Sequence, residues 1–270
     1  MKTNLVKRSR VLKAQVVVVL LLVSSGLFFG CALFKKKTSA TSSFPQRTGV
    51  FQRDILERAF FFSSMRLSGK LKLQARDREF PWVRINAWLL SMGGESYLRI
   101  KGLAAFGITV FDLLAKGERA WIYLPRSDKV YEGFRFFTSY GSINVKTAIR
   151  AMEMILNPWS PLRYIPSEEV PCQNKEHVAL ACLKGDFMGR TFTFEYGLED
   201  LLPHRFYSKE MEVLFSGKIG ESGGYPGQVQ FLLSRAGIRG RLTVSNIRRV
   251  DLGPESKLFD QAYFLGKKEP

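Results

Sequence analysis

Alternating apolar and polar positions along most of the chain predict a protein built mainly of β-strands. After Gly69, the side chains of Leu71 and Leu73 fall on one face of an extended segment, and Gly93-Gly94 marks a hairpin turn. The pattern predicts strands over residues 67–76, 83–92, 95–101, 108–115, 120–124, 130–132, 178–184, 191–196, 206–215, 229–234 and 241–249. Strands joined by short hairpins are typical of antiparallel sheets that curve into a partial barrel.

Two segments depart from this period and predict helices. One begins at Phe51 and fades near Met65, with its apolar residues on one face. The other begins at an Asn144 cap and ends before Pro158. Two short helices are too few to cover so much sheet. The predicted class is therefore α+β, mainly antiparallel β, with an unclosed half-barrel and helices as a lid over a hydrophobic cavity.

The predicted lining of this cavity comes from the apolar positions of the strands and of the second helix. The chain has 22 Phe residues, which suit strands and a large apolar interior. We expect the following side chains to line the cavity: Leu98, Ile100, Val110, Trp121, Tyr123, Ile149, Met152, Phe192, Phe194 and Phe231.

The N-terminus has the order of an export signal. Basic residues without any acid precede an apolar run over residues 16–30, and Cys31 follows the small residue Gly30. This arrangement resembles a bacterial lipoprotein signal, in which the cysteine is lipidated and becomes the first residue of the mature chain. The predicted organisation is a signal peptide over residues 1–30, a flexible tether over 31–50 and a binding domain over 51–270.

Two other interpretations of the N-terminus stay open. The usual lipoprotein motif has Leu three residues before the cysteine, where this chain has Phe28. An uncleaved signal anchor over residues 16–34, at the inner membrane, or ordinary cleavage would also fit. All three place the rest of the chain outside the cytoplasm. A diacyl anchor would hold it on a membrane, since each buried methylene contributes about 0.8 kcal/mol.

The formal net charge of +17 favours an anionic partner. Export excludes nucleic acid as the expected partner, and anionic lipid head groups fit this charge better. A surplus that serves only solubility is the alternative interpretation.

Candidate catalytic and metal-binding groups are few. The chain has only two histidines, His177 and His204, and neither has a second soft ligand at helix or strand spacing. The paired acids Glu168-Glu169 and Glu199-Asp200 are predicted to lie in loops, where solvated turns explain them better than acid–base catalysis does. We therefore predict no enzyme activity, no metal site and no cofactor. Cys172 and Cys182 could form a disulfide in an oxidising compartment, and two free thiols are equally compatible with their spacing.

Several segments resemble the LolA/LolB-type lipoprotein-localisation superfamily. They are residues 97–112, 120–132, 226–231, 242–246 and the pair Phe264-Leu265. The resemblance implies an unclosed antiparallel barrel with a helical lid, which binds acyl chains of lipoproteins or other lipids. The LolB branch is an outer-membrane lipoprotein, and Ala32 after the cysteine is compatible with sorting to that membrane.

The LolB branch also uses a protruding apolar loop. Leu103 and Phe106, between two predicted strands, are the candidates here for such a membrane-touching loop, and a buried strand link is the alternative. The predicted function is a lipid-anchored, periplasm-facing lipoprotein of the outer membrane that binds acyl chains. The alternative is a non-enzymatic assembly lipoprotein that uses the same fold to bind a protein partner.

Overall fold

The computed structural model describes residues 48–75, 78–133, 145–165, 167–172, 180–187, 190–209, 211–219, 224–234 and 237–266. The predicted signal peptide, Cys31 and the tether up to residue 47 lie outside this range. The described helices are α1 (Thr48–Phe61), α2 (Val145–Leu156) and α3 (Gln261–Gly266), with short 3₁₀ turns at Ala105–Gly107 and Ser160–Arg163. Among these helices, none combines the length and the apolar character that a membrane crossing needs.

The strands of the described residues form one antiparallel sheet. They are β1 (Ser64–Ala75), β2 (Arg78–Met92), β3 (Glu95–Leu103), β4 (Thr109–Lys116), β5 (Arg119–Leu124), β6 (Lys129–Glu132), β7 (Glu168–Val170), β8 (Leu180–Phe187), β9 (Arg190–Gly197), β10 (Pro203–Tyr207), β11 (Met211–Ile219), β12 (Tyr225–Leu233) and β13 (Ile238–Arg249). Their spatial order is β6-β5-β4-β3-β2-β1-β13-β12-β11-β10-β9-β8-β7.

Sheet order explains why the barrel is unclosed. Consecutive strands pair as hairpins, and β1 pairs with β13. β6 and β7 follow one another in the chain yet lie at opposite edges of the sheet. The chain between them contains α2, so this helix lies in the connection from one edge to the other. The predicted class, α+β with a mainly antiparallel and unclosed sheet, is confirmed.

Apolar side chains pack on both faces of the sheet. On the inner face, residues of strands β1–β5 and β8–β13 form one core with Ile55 of α1 and Ile149 of α2. On the outer face, a smaller cluster joins Leu114 and Trp121 to Phe259 and Phe264 of the C-terminal segment. The segment after β13 therefore covers part of the outer face.

The end of α2 is anchored by buried hydrogen bonds. The Tyr196 hydroxyl donates to the Pro158 carbonyl at 3.0 Å, and the Tyr225 hydroxyl donates to the Leu156 carbonyl. Asn157 Nδ2 donates to the Ala59 carbonyl of α1 at 2.9 Å. Burial raises the pKa of both tyrosines, so their hydroxyls stay protonated donors. This end of the helix is thus fixed to α1, β9 and β12.

Three element predictions need correction. Residues 206–215 form two strands, because Ser208 exchanges hydrogen bonds with Met211 and makes a turn between β10 and β11. Glu168-Glu169 lies on the edge strand β7, where it pairs with β8, and not in a loop. The first helix begins at Thr48, before the predicted Phe51.

Candidate functional site

Most of the predicted lining residues meet on the inner face of the sheet. Leu98, Ile149, Met152, Phe192, Phe194 and Phe231 belong to one buried cluster, and Ile100 and Val110 pack against it. Leu98 and Phe194 have 0% of their surface exposed. Side chains from β3 and from β9 thus share one apolar layer, which α1 and α2 cover.

Trp121 and Tyr123 do not join that layer. Both belong to the outer cluster with Phe259, whereas Ile122, between them on β5, points inward. Alternation along a strand sends neighbouring side chains to opposite faces, so Trp121 and Tyr123 share a face but not the predicted one.

Sequence reasoning missed several inner residues. The rings of Phe206 and Phe215 pack on this layer at a tilt of 59°, with centroids 4.7 Å apart, and Trp159 stacks on Phe62 at 4.9 Å. The alternation of β10 and β11 could have indicated the first pair. Trp159 lies in the irregular segment after α2, where no period exists to indicate its orientation.

A buried carboxylate ties α2 to the sheet. Glu153 accepts hydrogen bonds from Ser91 Oγ and Ser96 Oγ, each at 2.6 Å. It also accepts from the Tyr164 hydroxyl at 2.8 Å and from Arg150 Nη1 at 3.1 Å. These five residues are called the polar latch. Glu153 is 0% exposed, and its oxygens are fully partnered, which is what a buried charge requires.

The polar latch also reaches the β2–β3 hairpin. Arg150 Nη2 donates to the Gly94 carbonyl at 2.7 Å, and Ser91 and Ser96 flank the turn on β2 and β3. An acid between Met152 and Met154, inside an apolar helical segment, was the only sequence sign of this contact. The latch holds the body of α2, while the tyrosine bonds described above hold its C-terminal end.

The predicted membrane-touching segment is an exposed apolar link between β3 and β4. Phe106 is 100% exposed and Ile108 is 65% exposed, whereas Leu103 at the end of β3 is partly buried. Phe106 has φ +61° and is followed by Gly107 at φ +76°, so the link makes a tight turn that presents the ring outward. Phe106 and Ile108 together form an exposed apolar patch, which makes the link a candidate contact surface.

The remaining sequence candidates are the two cysteines and the two histidines. Cys172 and Cys182 form a disulfide that joins the end of β7 to β8. His177 lies outside the described residues, and His204 lies on β10. Within the described ranges, no group of His, Cys, Asp and Glu is arranged to hold a metal ion.

Comparisons by sequence find no match for this chain, whereas comparisons by structure do. No protein-family model matches the sequence, and no curated protein matches it. Solved structures do match. A DUF1329 family protein from Desulfovibrio piger has a TM-score of 0.57 at 15% identity, over 78% of this chain and 96% of that one. A domain from Vibrio parahaemolyticus, named for outer membrane lipoprotein sorting, has a TM-score of 0.56 at 11% identity, over 77% and 94%.

A third structure carries the superfamily name. A LolA superfamily protein from Nitrosomonas europaea aligns with a TM-score of 0.53 at 16% identity, over 78% of this chain and 98% of that one. All three alignments cover nearly the whole of the other chain, so the shared feature is the fold. The resemblance predicted from the strand pattern is confirmed: this chain has the fold of the LolA/LolB-like superfamily.

Proposed function

We propose that this chain is a membrane-anchored lipoprotein, facing the periplasm at the outer membrane, that binds acyl chains between α2 and the inner face of the sheet. The observation that carries the proposal is the continuous apolar layer across the inner face, from Ile122 on β5 to Leu183 on β8, covered mainly by α1 and α2. The Vibrio domain, named for lipoprotein sorting, has the same fold and supports this class of cargo.

Acyl binding on this face requires α2 to move. Leu98 is fully buried where α2 packs on β3, so a fatty chain can reach it only when the helix separates from the sheet. The C-terminal end of α2 is fixed by Tyr196 and Tyr225, and the polar latch is the contact that would release. An opening hinged near Leu156 would expose the apolar layer and keep the helix attached.

The exposed link supports a site of action at a membrane. Phe106 and Ile108 present apolar surface to solvent, and burying a phenylalanine in lipid contributes about 1.5–3 kcal/mol. Together with a lipidated Cys31, this link would orient the domain at the bilayer. The proposal describes a binding protein and assigns no catalytic role.

The test is whether the protein carries or takes up acyl species. The full chain, extracted from membranes, is analysed by native mass spectrometry and then titrated with a fluorescent fatty acid. We expect a bound acyl species, or saturable uptake that a non-fluorescent fatty acid displaces. Absence of both in folded protein would overturn the proposal.

A protein partner is the second candidate, and the packing of the inner face favours it. If this layer never opens, the fold serves as a scaffold, and β6 and β7 offer unpaired edges in the described sheet. Cross-linking in intact cells that captures one stoichiometric partner, combined with no acyl uptake, would select this function.

A further inference from the structure

Strands β1, β2 and β13 have a large excess of basic over acidic residues. These three strands contain nine Lys or Arg residues and one acid, Glu79. Five of the cations point outward near the end of the sheet that bears the exposed link, and they are called the basic face: Lys70, Lys72, Arg84, Arg239 and Arg241. Their neighbours in sequence, such as Leu71 and Leu242, point into the core.

Strand register places the basic face beside the apolar link. Arg84 on β2 pairs with Leu103, the last residue of β3 before the link, and also with Lys70 on β1. Lys72 pairs in turn with Arg241 on β13. Neighbouring strands are about 5 Å apart, so Arg84 lies next to the start of the link and Lys70 one strand further.

A second exposed aromatic residue belongs to the same end. Trp82 is 51% exposed and lies on β2, two residues from Arg84 on the side of the β1–β2 hairpin. The Lys70 ammonium lies 5.1 Å from the centre of its ring. Trp82, Phe106 and Ile108 are called the apolar tip. An amphipathic indole beside cations is the composition that proteins place at a lipid–water interface.

Most of the basic face lacks a counter-charge in the part of the chain that the structure describes. Lys72 pairs with Glu79 at 3.2 Å. Arg84, Arg239 and Arg241 have no acidic partner among the described residues. Guanidinium groups without an acidic partner, spread over one face of three strands, favour a multivalent anionic surface over a single small anion.

We infer that the basic face and the apolar tip together form a docking surface for a bilayer that contains anionic phospholipid. The inference rests on the proposed function only for the presence of a membrane. The apolar tip enters the interface, and the basic face contacts phosphate head groups beside it. Docking in this orientation turns the outer face of β1, β2 and β13 towards the lipid and leaves α2 free to move on the opposite face.

The experiment uses the full chain in vesicles, held by its own N-terminal segment. Vesicles contain phosphatidylcholine alone or phosphatidylcholine with phosphatidylglycerol, and amide hydrogen exchange is followed in the link over residues 104–108. We expect slower exchange with phosphatidylglycerol, and loss of this protection at high salt. The variant Lys70→Gln/Arg84→Gln should lose most of the protection, because each basic residue at an anionic surface accounts for about fivefold in binding.

The control variant is Arg53→Gln/Lys184→Gln. It removes the same charge from α1 and from β8, which lies six strands from β1 along the sheet, and it should keep the protection. Equal protection in both kinds of vesicle, or equal loss in both variants, would overturn the inference. Fluorescent fatty-acid uptake in the same samples separates the two proposals: its absence with charge-dependent docking retained would overturn the proposed function alone.

Discussion

Gly102 and Gly240 face inward, and a phenylalanine ring lies over each of them. A Cβ at Gly102 would overlap Phe111, and a Cβ at Gly240 would overlap Phe231. Neither glycine has a positive φ, so the close approach of a ring, and not the backbone conformation, requires glycine at these positions. Phe231, a predicted lining residue, thus rests against the sheet itself.

Replacing Gly240 by alanine should destabilise the fold. Gly240→Ala forces the Phe231 ring out of its place, and overpacking of this kind costs about 1–3 kcal/mol. Urea unfolding measures the loss, and Phe231→Leu in the same background should recover part of it. The control Gly266→Ala, with nothing within 4 Å of the new Cβ, should leave stability unchanged. Equal midpoints for both alanine variants would contradict the account.

Glu195 makes stability depend on pH. Burial raises the pKa of this carboxyl, as does Glu212, whereas Arg205 lowers it. A raised pKa in the folded state means that folding favours the protonated acid. The stability that protonated Glu195 contributes is therefore lost as pH rises above the unfolded pKa of about 4.3.

Glu195→Gln should therefore raise the melting temperature at neutral pH and have little effect near pH 4. Melting curves measured between about pH 4 and pH 8 give the difference between variant and parent at each pH. The control is Glu199→Gln, at an exposed position in the next loop, which should shift melting little at any pH. A Glu195→Gln advantage that shrinks as pH rises would contradict the assigned cause.

The alternation of apolar residues predicted which side chains share a face of a strand, but not which face of β5 belongs to the inner layer. The alternation of β3 and β9 grouped Leu98, Ile100, Phe192 and Phe194, and these side chains pack in the same inner cluster. It placed Trp121 on the wrong face, because alternation tells which residues share a face and not which face meets the helices. The outer face of β5 is apolar because the C-terminal segment covers it. A large aromatic residue on β5 is therefore compatible with either face of the sheet.

At the scale of elements, α2 is held in two places: hydrogen bonds from Tyr196 and Tyr225 fix its C-terminal end, and the polar latch holds its body. Glu153→Gln keeps the shape of the polar latch but removes the charge that strengthens its hydrogen bonds. Hydrogen bonds to a charged group contribute about 1.5–3 kcal/mol each, so α2 should separate from the sheet more readily. We expect faster amide exchange in α2 and faster fatty-acid uptake.

The control for the latch is Glu168→Gln on the edge strand β7, where the acid is exposed. It should change neither exchange in α2 nor the uptake rate. Slower uptake by Glu153→Gln, or uptake unchanged despite faster exchange, would show that α2 is not the element that admits the chain.

The β3–β4 link should govern membrane contact without affecting the core. Phe106→Asp places a charge where the fully exposed ring was, and we expect at least tenfold weaker docking of the vesicle-bound chain, with an unchanged melting temperature. Leu198→Asp is the matched control, since Leu198 is 47% exposed at the opposite end of the sheet. Equal losses in the two variants would assign the effect to general surface charge.

Element boundaries were predicted where the period was regular. Strands β3 to β5 and the Gly93-Gly94 turn matched the alternation closely, whereas β2 begins at Arg78, five residues before the predicted start at residue 83. The predicted strand 206–215 concealed a turn, although its inward residues change from the even position Phe206 to the odd positions Met211 and Val213. That change of phase was the available signal. Edge strand β7 gave none, because three residues are too few to show a period.

At the scale of the whole molecule, the outer cluster could not be predicted from local pattern. Arg99 reads in the sequence as a surface cation, but it is 1% exposed. It donates to Asp112 at 3.0 and 2.8 Å and to the Leu258 carbonyl at 3.1 Å. The third bond exists because the C-terminal segment folds back over β3 and β4. Contacts between distant segments leave no periodic signal in either of them.

The most direct measurement of the central claim is photo-cross-linking with a fatty acid that carries a diazirine along its chain. The full chain is labelled in vesicles and the modified peptides are located by mass spectrometry. We predict label on the peptides that contain Leu98 and Ile149, where the inner layer meets α2, and on the Phe194 peptide further along the same layer, and none at Trp121 on the outer face. Label confined to the outer face, or no label on the inner layer of folded protein, would contradict acyl binding beneath α2.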